Sequence, residues 1–347
     1  NAGRLSFMMT LQGRPLHLDA QGRVVAKPPR RDAPAGFSDL FHAKGLGAAA
    51  ALLGDAGRLR TAEERFQRVC GEIRAGRFVT DQEALDPKNP VRPAPGRHSL
   101  GPRMIAIGGA ALFAELTGSR RYRDVGLEFV EHVLRFHAHL PGAADAPGED
   151  YDVWEFVDDR GLPYREEGGA VRSDPGHATE FAGLSLKFLR VCETAGLWDA
   201  ADAEKVRTLR ERLGRVLVRN FANGFSRSGI GVCKAFDLAA RRAINTDMPW
   251  WPLPEALRAA AEAWAVAPPE ARAQFAEIGR RCSNAFLRHF VRPDRRLMAN
   301  QTVGADGRPV AVIPATPDAD PGYHTGLSLI DALRVWSSPA CGCYSRK

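Results

Sequence analysis

The sequence predicts an all-α protein built as a toroid of helical hairpins. Apolar residues recur at helical spacing from near residue 40 onward, and strand signals are confined to the connections. Two of those connections, at roughly 141–176 and 291–323, are unusually long, and each ends in Asp-Pro-Gly, then a histidine, then a helix. Helices in antiparallel pairs with such loops on one side place the loops and helix starts at the mouth of a central pocket. No repeat of fixed length shows, which argues against an open helical solenoid.

The helices follow from the spacing. Phe66, Val69, Cys70 and Ile73 fall at i, i+3, i+4 and i+7 and form one stripe, and Val125, Phe129, Val133, Phe136 and Leu140 form the next. Phe181, Leu184, Phe188 and Val191 give a third, and Val206, Leu209, Leu213, Val216 and Leu217 a fourth. Phe275, Ile278, Cys282, Phe286 and Phe290 complete the set. The Ala-rich segments 40–53, 102–117 and 254–265 are apolar all round, as helices packed on both sides are. Three small hairpins are expected, each with a Gly-containing turn: residues 16–25 around Ala20-Gln-Gly22, 153–164 around Asp158-Asp-Arg-Gly161, and 298–313 around Ala305-Asp-Gly307.

At 347 residues, the chain fits one large domain, placed at 1–336, with a tail at 337–347 to which no role is assigned. The net charge of +7 is carried mostly by Arg interleaved with Glu and Asp along helices, a solvated salt-laced surface rather than a nucleic-acid stripe. No apolar run has the length of a membrane span, and Asn1-Ala-Gly-Arg-Leu5 lacks the form of a signal peptide. The chain starts at Asn rather than Met, as a trimmed or incomplete chain would. Cys70, Cys192, Cys233 and Cys282 are scattered without a CxxC pair and read as reduced thiols of a cytoplasmic protein. Cys341 and Cys343 lie in the tail.

Chemistry concentrates in three places. Asp174-Pro-Gly-His177-Ala-Thr-Glu180 delivers a histidine to the first turn of a helix, with Glu180 on the same face. The helix dipole lowers the pKa of such a histidine and a nearby carboxylate opposes that shift, leaving an acid or base near neutral pH. Asp320-Pro-Gly-Tyr-His324 repeats the theme about 150 residues later, before a helix from Thr325 to about Trp336. Between them, Trp250-Trp251 precedes a helix start carrying Glu255; one indole is expected in the pocket and the other in its wall. A histidine at a capping turn, or a tryptophan in a core, is the structural alternative in each case. His137-Ala-His139 is read as helical, where i, i+2 side chains diverge and hold no metal.

Pro-Gly-His-x-x-Glu at 175–180, Trp-Trp-x-x-x-Glu at 250–255 and Gly-Tyr-His at 322–324, in this order, resemble the N-acylglucosamine 2-epimerase superfamily over about residues 10–336. Tyr151-Asp-Val-Trp-Glu-Phe156 and Phe37-Ser-Asp39 also fit it. That group includes cellobiose 2-epimerases and the mannose and sulfoquinovose isomerases. The resemblance implies an (α/α)6 barrel, here lacking the first helix, with His177 and His324 as acid–base catalysts and Glu180 orienting the first of them. It implies Trp250, Trp251 and Glu255 as a sugar-binding wall and Arg31 as a further substrate contact, one residue out of register. The chain departs from the pattern at Met248 and Pro249, Leu253 and Leu327, where the family carries basic or polar side chains, and lacks a histidine over 101–107.

The expected reaction is proton transfer at C2 of an open-chain sugar through an enediolate, as a 2-epimerase or an aldose–ketose isomerase, without metal or other cofactor. The substrate is a mono- or disaccharide, no nucleic acid or membrane takes part, and the protein is a monomer or homodimer. A catalytically silent sugar-binding protein and an (α/α)6 glycosidase, which needs two carboxylates, are the alternatives.

Overall fold

The computed structural model describes residues 4–19, 21–28, 33–81, 94–142, 147–295, 298–310 and 322–337. The Ala-rich segments become α1 (Phe37–Leu52), α3 (Gly101–Thr117) and α7 (Pro252–Val266); the periodic ones become α2 (Ala56–Arg74), α4 (Arg120–Phe136), α5 (Pro175–Thr194), α6 (Ala203–Gly224) and α8 (Pro269–Ala285). A π-helical turn, Tyr323–Leu327, leads into α9 (Ser328–Trp336). No helix among these residues is long and apolar enough to cross a membrane.

Odd-numbered helices pack in succession, α1 on α3, α3 on α5, α5 on α7 and α7 on α9, and form an inner ring. Each even-numbered helix pairs with the inner helix before it and forms an outer layer. The stripes explain the division. Outer helices bury one face, such as Phe66, Val69, Cys70 and Ile73 of α2, while α7 is buried almost all round from Pro252 to Ala263. The result is the expected all-α toroid, with two qualifications. Five inner and four outer helices among the described residues fall short of six pairs, and α9 does not pack on α1, so the ring is open there. Tyr323 reaches across that opening, its ring 4.9 Å from Phe41 of α1.

Short strands line one end and precede the inner helices. His98–Ser99 runs into α3 and pairs with Phe156–Val157; Arg172–Ser173 runs into α5 and pairs with Ala235–Asp237; Met248–Pro249 runs into α7 and pairs with Thr302–Val303. These pairings tie the long connections to the helix starts, which is how the loops come to frame one pocket. The three expected hairpins are present, the last as far as Val310, since 311–313 lie outside the described residues. A fourth, Ala235–Asp237 with Arg242–Asn245, escaped sequence reading because Ala240-Arg241 carries no glycine; Arg241 takes the left-handed conformation (φ 53°) itself. α4 ends at Phe136, so His137 and His139 are not helical: His137 is the C-cap, its Nδ1 3.1 Å from the Trp154 carbonyl.

Close helix approach depends on glycine at Gly126. A Cβ there would lie 2.3 Å from Cε2 of fully buried Phe188. Gly126→Val should therefore lower unfolding free energy by about 1–3 kcal/mol, since the rigid ring has nowhere to move. Chemical denaturation of the two proteins measures it, and equal midpoints would contradict the packing argument.

Candidate active site

Asp174 is the N-cap of α5, and its Oδ1 accepts from the backbone N–H groups of Gly176 (3.0 Å) and His177 (3.3 Å). Pro175 sits at the first helical position, where its missing N–H costs nothing. The capping turn and the presentation of His177 are thus one device. Gly176 is needed for the same reason: a Cβ there would meet Trp251 at 2.6 Å.

His177 and His324 come together around Trp251. Its ring centroid is 5.2 Å from that of His177 and 5.1 Å from that of His324, so the two imidazoles are at most about 10 Å apart. Trp250 is wall: 2% exposed, with its indole N–H donating to Thr325 Oγ1 at 3.3 Å. Trp251 is itself only 6% exposed. Trp251 is the common support on which both imidazoles rest.

Each histidine is held through Nδ1 by a buried carboxylate. Nδ1 of His177 is 3.0 Å from Glu155 Oε2 and 3.6 Å from Asp174 Oδ2; Nδ1 of His324 is 3.0 Å from Glu255 Oε1. Nε2 of both has no partner among the described residues, and the side chains keep 30% and 18% exposure, so both rings keep an accessible edge. The orienting partner of His177 is therefore not Glu180. Glu180 lies one turn deeper, accepts from Tyr323 Oη at 3.3 Å, and clusters with Glu255 and His324, whose ligand atoms all fall within 4.8 Å. Arg31 lies outside the described residues, as do Asp320 and Pro321.

The carboxylates set the protonation states. Burial pulls the His177 imidazole down, but Asp174 and Glu155 outweigh it and raise the pKa to about 9. The expectation of a histidine poised near neutrality is thereby corrected, because two carboxylates face it across a buried site. Burial works against the Asp174 carboxylate, yet His177 and Lys234 hold its pKa below the usual value; the Lys234 ammonium donates to Asp174 Oδ2 at 2.8 Å. Glu255 is lowered against burial by Arg258, which donates to its Oε2, and by His324. Burial and then neighbouring Glu255 raise Glu180. Glu180, Glu255 and His324 have the donor types of a divalent-cation site, but Arg258 and Tyr323 already engage the two carboxylates.

Sequence reading missed Glu155, Lys234 and Arg258. Glu155 lay within the quoted Tyr151–Phe156 motif without a role; Arg258 was accessible as the i+3 neighbour of Glu255, whereas nothing local marks Lys234.

The N-acylglucosamine 2-epimerase (GlcNAc 2-epimerase) family model matches residues 46–325. This chain belongs to that family. Structures similar in fold include a sugar epimerase from a ruminal bacterium (TM-score 0.62, 14% identity, 86% of this chain and 71% of that one). A D-mannose isomerase gives 0.62 and 13% over the same shares, and the cellobiose 2-epimerase of Spirochaeta thermophila DSM 6192 gives 0.59 and 15%, over 85% and 69%. At these identities the likeness is one of fold. Comparison with curated proteins gives no match.

Glu155→Gln removes one of the two charges that hold the proton on His177. Its pKa, read by NMR titration of the imidazole, should fall clearly below about 9. Because the folded value lies above the ordinary 6.5, His177 contributes stability that is fully present below pH ~6.5 and is lost as pH rises through about 9. Denaturation midpoints across that window should decline less steeply in Glu155→Gln, and an unchanged titration would refute the assigned pairing.

Proposed function

We propose that this member of the N-acylglucosamine 2-epimerase family is a sugar 2-epimerase or aldose–ketose isomerase using His177 and His324 as its two proton carriers. The observation that carries the reading is the pair of imidazoles seated on one indole, each tied through Nδ1 and open at Nε2.

The carbonyl at C1 of an open-chain aldose acidifies the hydrogen at C2. His324, backed by the Glu255 carboxylate, takes that proton; the C–H electron pair becomes the C1–C2 double bond and the C1 oxygen becomes an oxyanion. His177 is protonated at neutral pH and supplies the returning proton. Delivery to the opposite face of C2 inverts it and gives the epimer. Delivery to C1, with the O2 proton passing to O1, gives the ketose. The reverse reaction exchanges the two roles. One turnover leaves His324 protonated and His177 neutral, so the pair resets by exchanging protons with water, which is also how solvent deuterium reaches the sugar.

A glycosidase fits less well. Its carboxylates must flank the scissile bond, whereas Glu180 and Glu255 are 1% and 0% exposed and lie within 4.8 Å of each other in one buried cluster.

Incubation with mannose, N-acetylglucosamine, N-acetylmannosamine and cellobiose in D2O, followed by NMR, tests the scheme. Deuterium should enter C2 of at least one sugar, with product at C2 or C1 telling epimerase from isomerase. His177→Asn and His324→Asn should each slow that exchange by about 10²–10⁴-fold. Exchange at the wild-type rate in either variant, or sugar binding without exchange in the wild type, would overturn it.

A further inference from the structure

Lys44 has no part in the scheme above, yet it stands beside the same cluster, against Tyr323. It lies on α1, and its ammonium sits 4.7 Å from the Tyr323 ring centroid and 5.2 Å from that of Phe41. Gly108 of α3 lies beside it: a Cβ there would stand 3.5 Å from Nζ, an ordinary contact, whereas Leu184 of α5 would be met at 2.9 Å. α1, α3 and the turn that leads into α9 therefore meet at this one amine. The same Tyr323 donates to Glu180 at 3.3 Å and packs 4.8 Å from the His324 ring, which links Lys44 to the catalytic cluster through one side chain.

Its lack of a partner sets it apart from the other cations of the lumen. Arg258 serves Glu255, Lys187 bonds both oxygens of Asp331 at 2.7 Å, Arg190 pairs with Glu262, and Lys234 with Asp174. Lys44 has neither a hydrogen bond nor an ion pair among the described residues; only aromatic faces attend it. Such a donor is costly to keep in a half-buried position unless something else completes its coordination.

We propose that Lys44 is a substrate-contacting residue, its amine donating to a hydroxyl oxygen of the bound sugar at the end of the lumen bounded by Glu180 and Tyr323. The inference rests on the sugar-isomerising reading. A ring's width separates Lys44 from His324, so the contact falls on a part of the sugar away from C2 and contributes to binding more than to the chemical step. Burial, partly opposed by Glu180 and Glu255 and reinforced by Arg258 and Lys187, brings its pKa down to about 7. The ammonium, the stronger donor, is thus lost as pH rises through that value.

Two measurements test the contact. On whichever sugar shows C2 exchange, Lys44→Met should raise KM about tenfold or more with kcat changed less than threefold. Lys44→Arg, which keeps a donor, should recover part of the loss, and wild-type KM should rise above pH ~7 while kcat holds toward the higher value of His177. Acetic anhydride labelling of the wild type at pH 7, read by peptide mass spectrometry, gives a signal independent of turnover. That sugar should shield Lys44 and leave exposed Lys205 untouched. Exchange with normal KM in a folded Lys44→Met, or labelling of Lys44 unaffected by a saturating sugar, overturns this proposal alone. A panel in which no sugar exchanges its C2 hydrogen overturns the parent reading, and the contact with it.

Discussion

Burying four carboxylates around one cavity is the constraint on which the site depends. Glu155 and Asp174 are each 6% exposed, and Glu180 and Glu255 still less. An uncompensated carboxylate in such a place costs several kcal/mol, so every one must find donors. Ser99 Oγ and His177 satisfy Glu155; two backbone N–H groups and Lys234 satisfy Asp174; Arg258 and His324 satisfy Glu255. Glu180, beside Glu255, answers differently: its pKa rises and Tyr323 donates to it. The imidazoles are oriented because they are the donors these acids require. Satisfying the acids and aiming Nε2 into the lumen are one arrangement.

The fold leaves little freedom in where these acids stand. Glu180 projects from the second turn of α5 and Glu255 from the first turn of α7, the two inner helices that pack most closely on one another, while Glu155 comes from the loop that pairs with the strand before α3. Strand pairs of two or three residues are too short to be stable alone. They persist here because one strand of each pair, or its neighbour in the sheet, runs directly into a core helix, and in return they fix the entry of α3, α5 and α7.

Much of this was legible in the sequence, and the boundary of legibility is physical. Helical spacing identified the outer helices through their single buried stripes, and all-round apolarity identified α3 and α7 as packed on both sides; α1, beside the opening, leaves Ala48 and Ala49 exposed, and α5, read from one stripe, is buried almost all round. Asp174-Pro-Gly-His177 was readable as a helix start because capping is local: cap, proline and histidine lie within four residues. Partners that meet through the fold were not. Glu155 reaches His177 from 22 residues away and Lys234 reaches Asp174 from 60, and only the pairing of Arg172–Ser173 with Ala235–Asp237 brings the latter two together. The i, i+3 spacing placed Glu180 on the helix face of His177 and the family resemblance made it the orienting acid, but its side chain accepts from Tyr323 instead. The opening between α9 and α1 was likewise beyond periodicity, which counts helices without showing how they close.

Trp251 makes the arrangement more than two separate ion pairs. Without a common support, each imidazole would swing about the bond to its carboxylate, and the two Nε2 atoms would have no fixed separation. A rigid indole packed against both rings converts two angular freedoms into one distance, and His324 is braced again by Trp250 and Tyr323. The indole is in turn locked by its place at the N-terminus of α7 and by Gly176, whose missing Cβ lets α5 approach it. In the epimerase form of the reaction proposed above, a proton leaves one face of a carbon and another returns to the opposite face, so the span between the two carriers has to match the width of the sugar chain. The spacing of the two imidazoles is set by an aromatic ring to which that proposal gives no proton to carry.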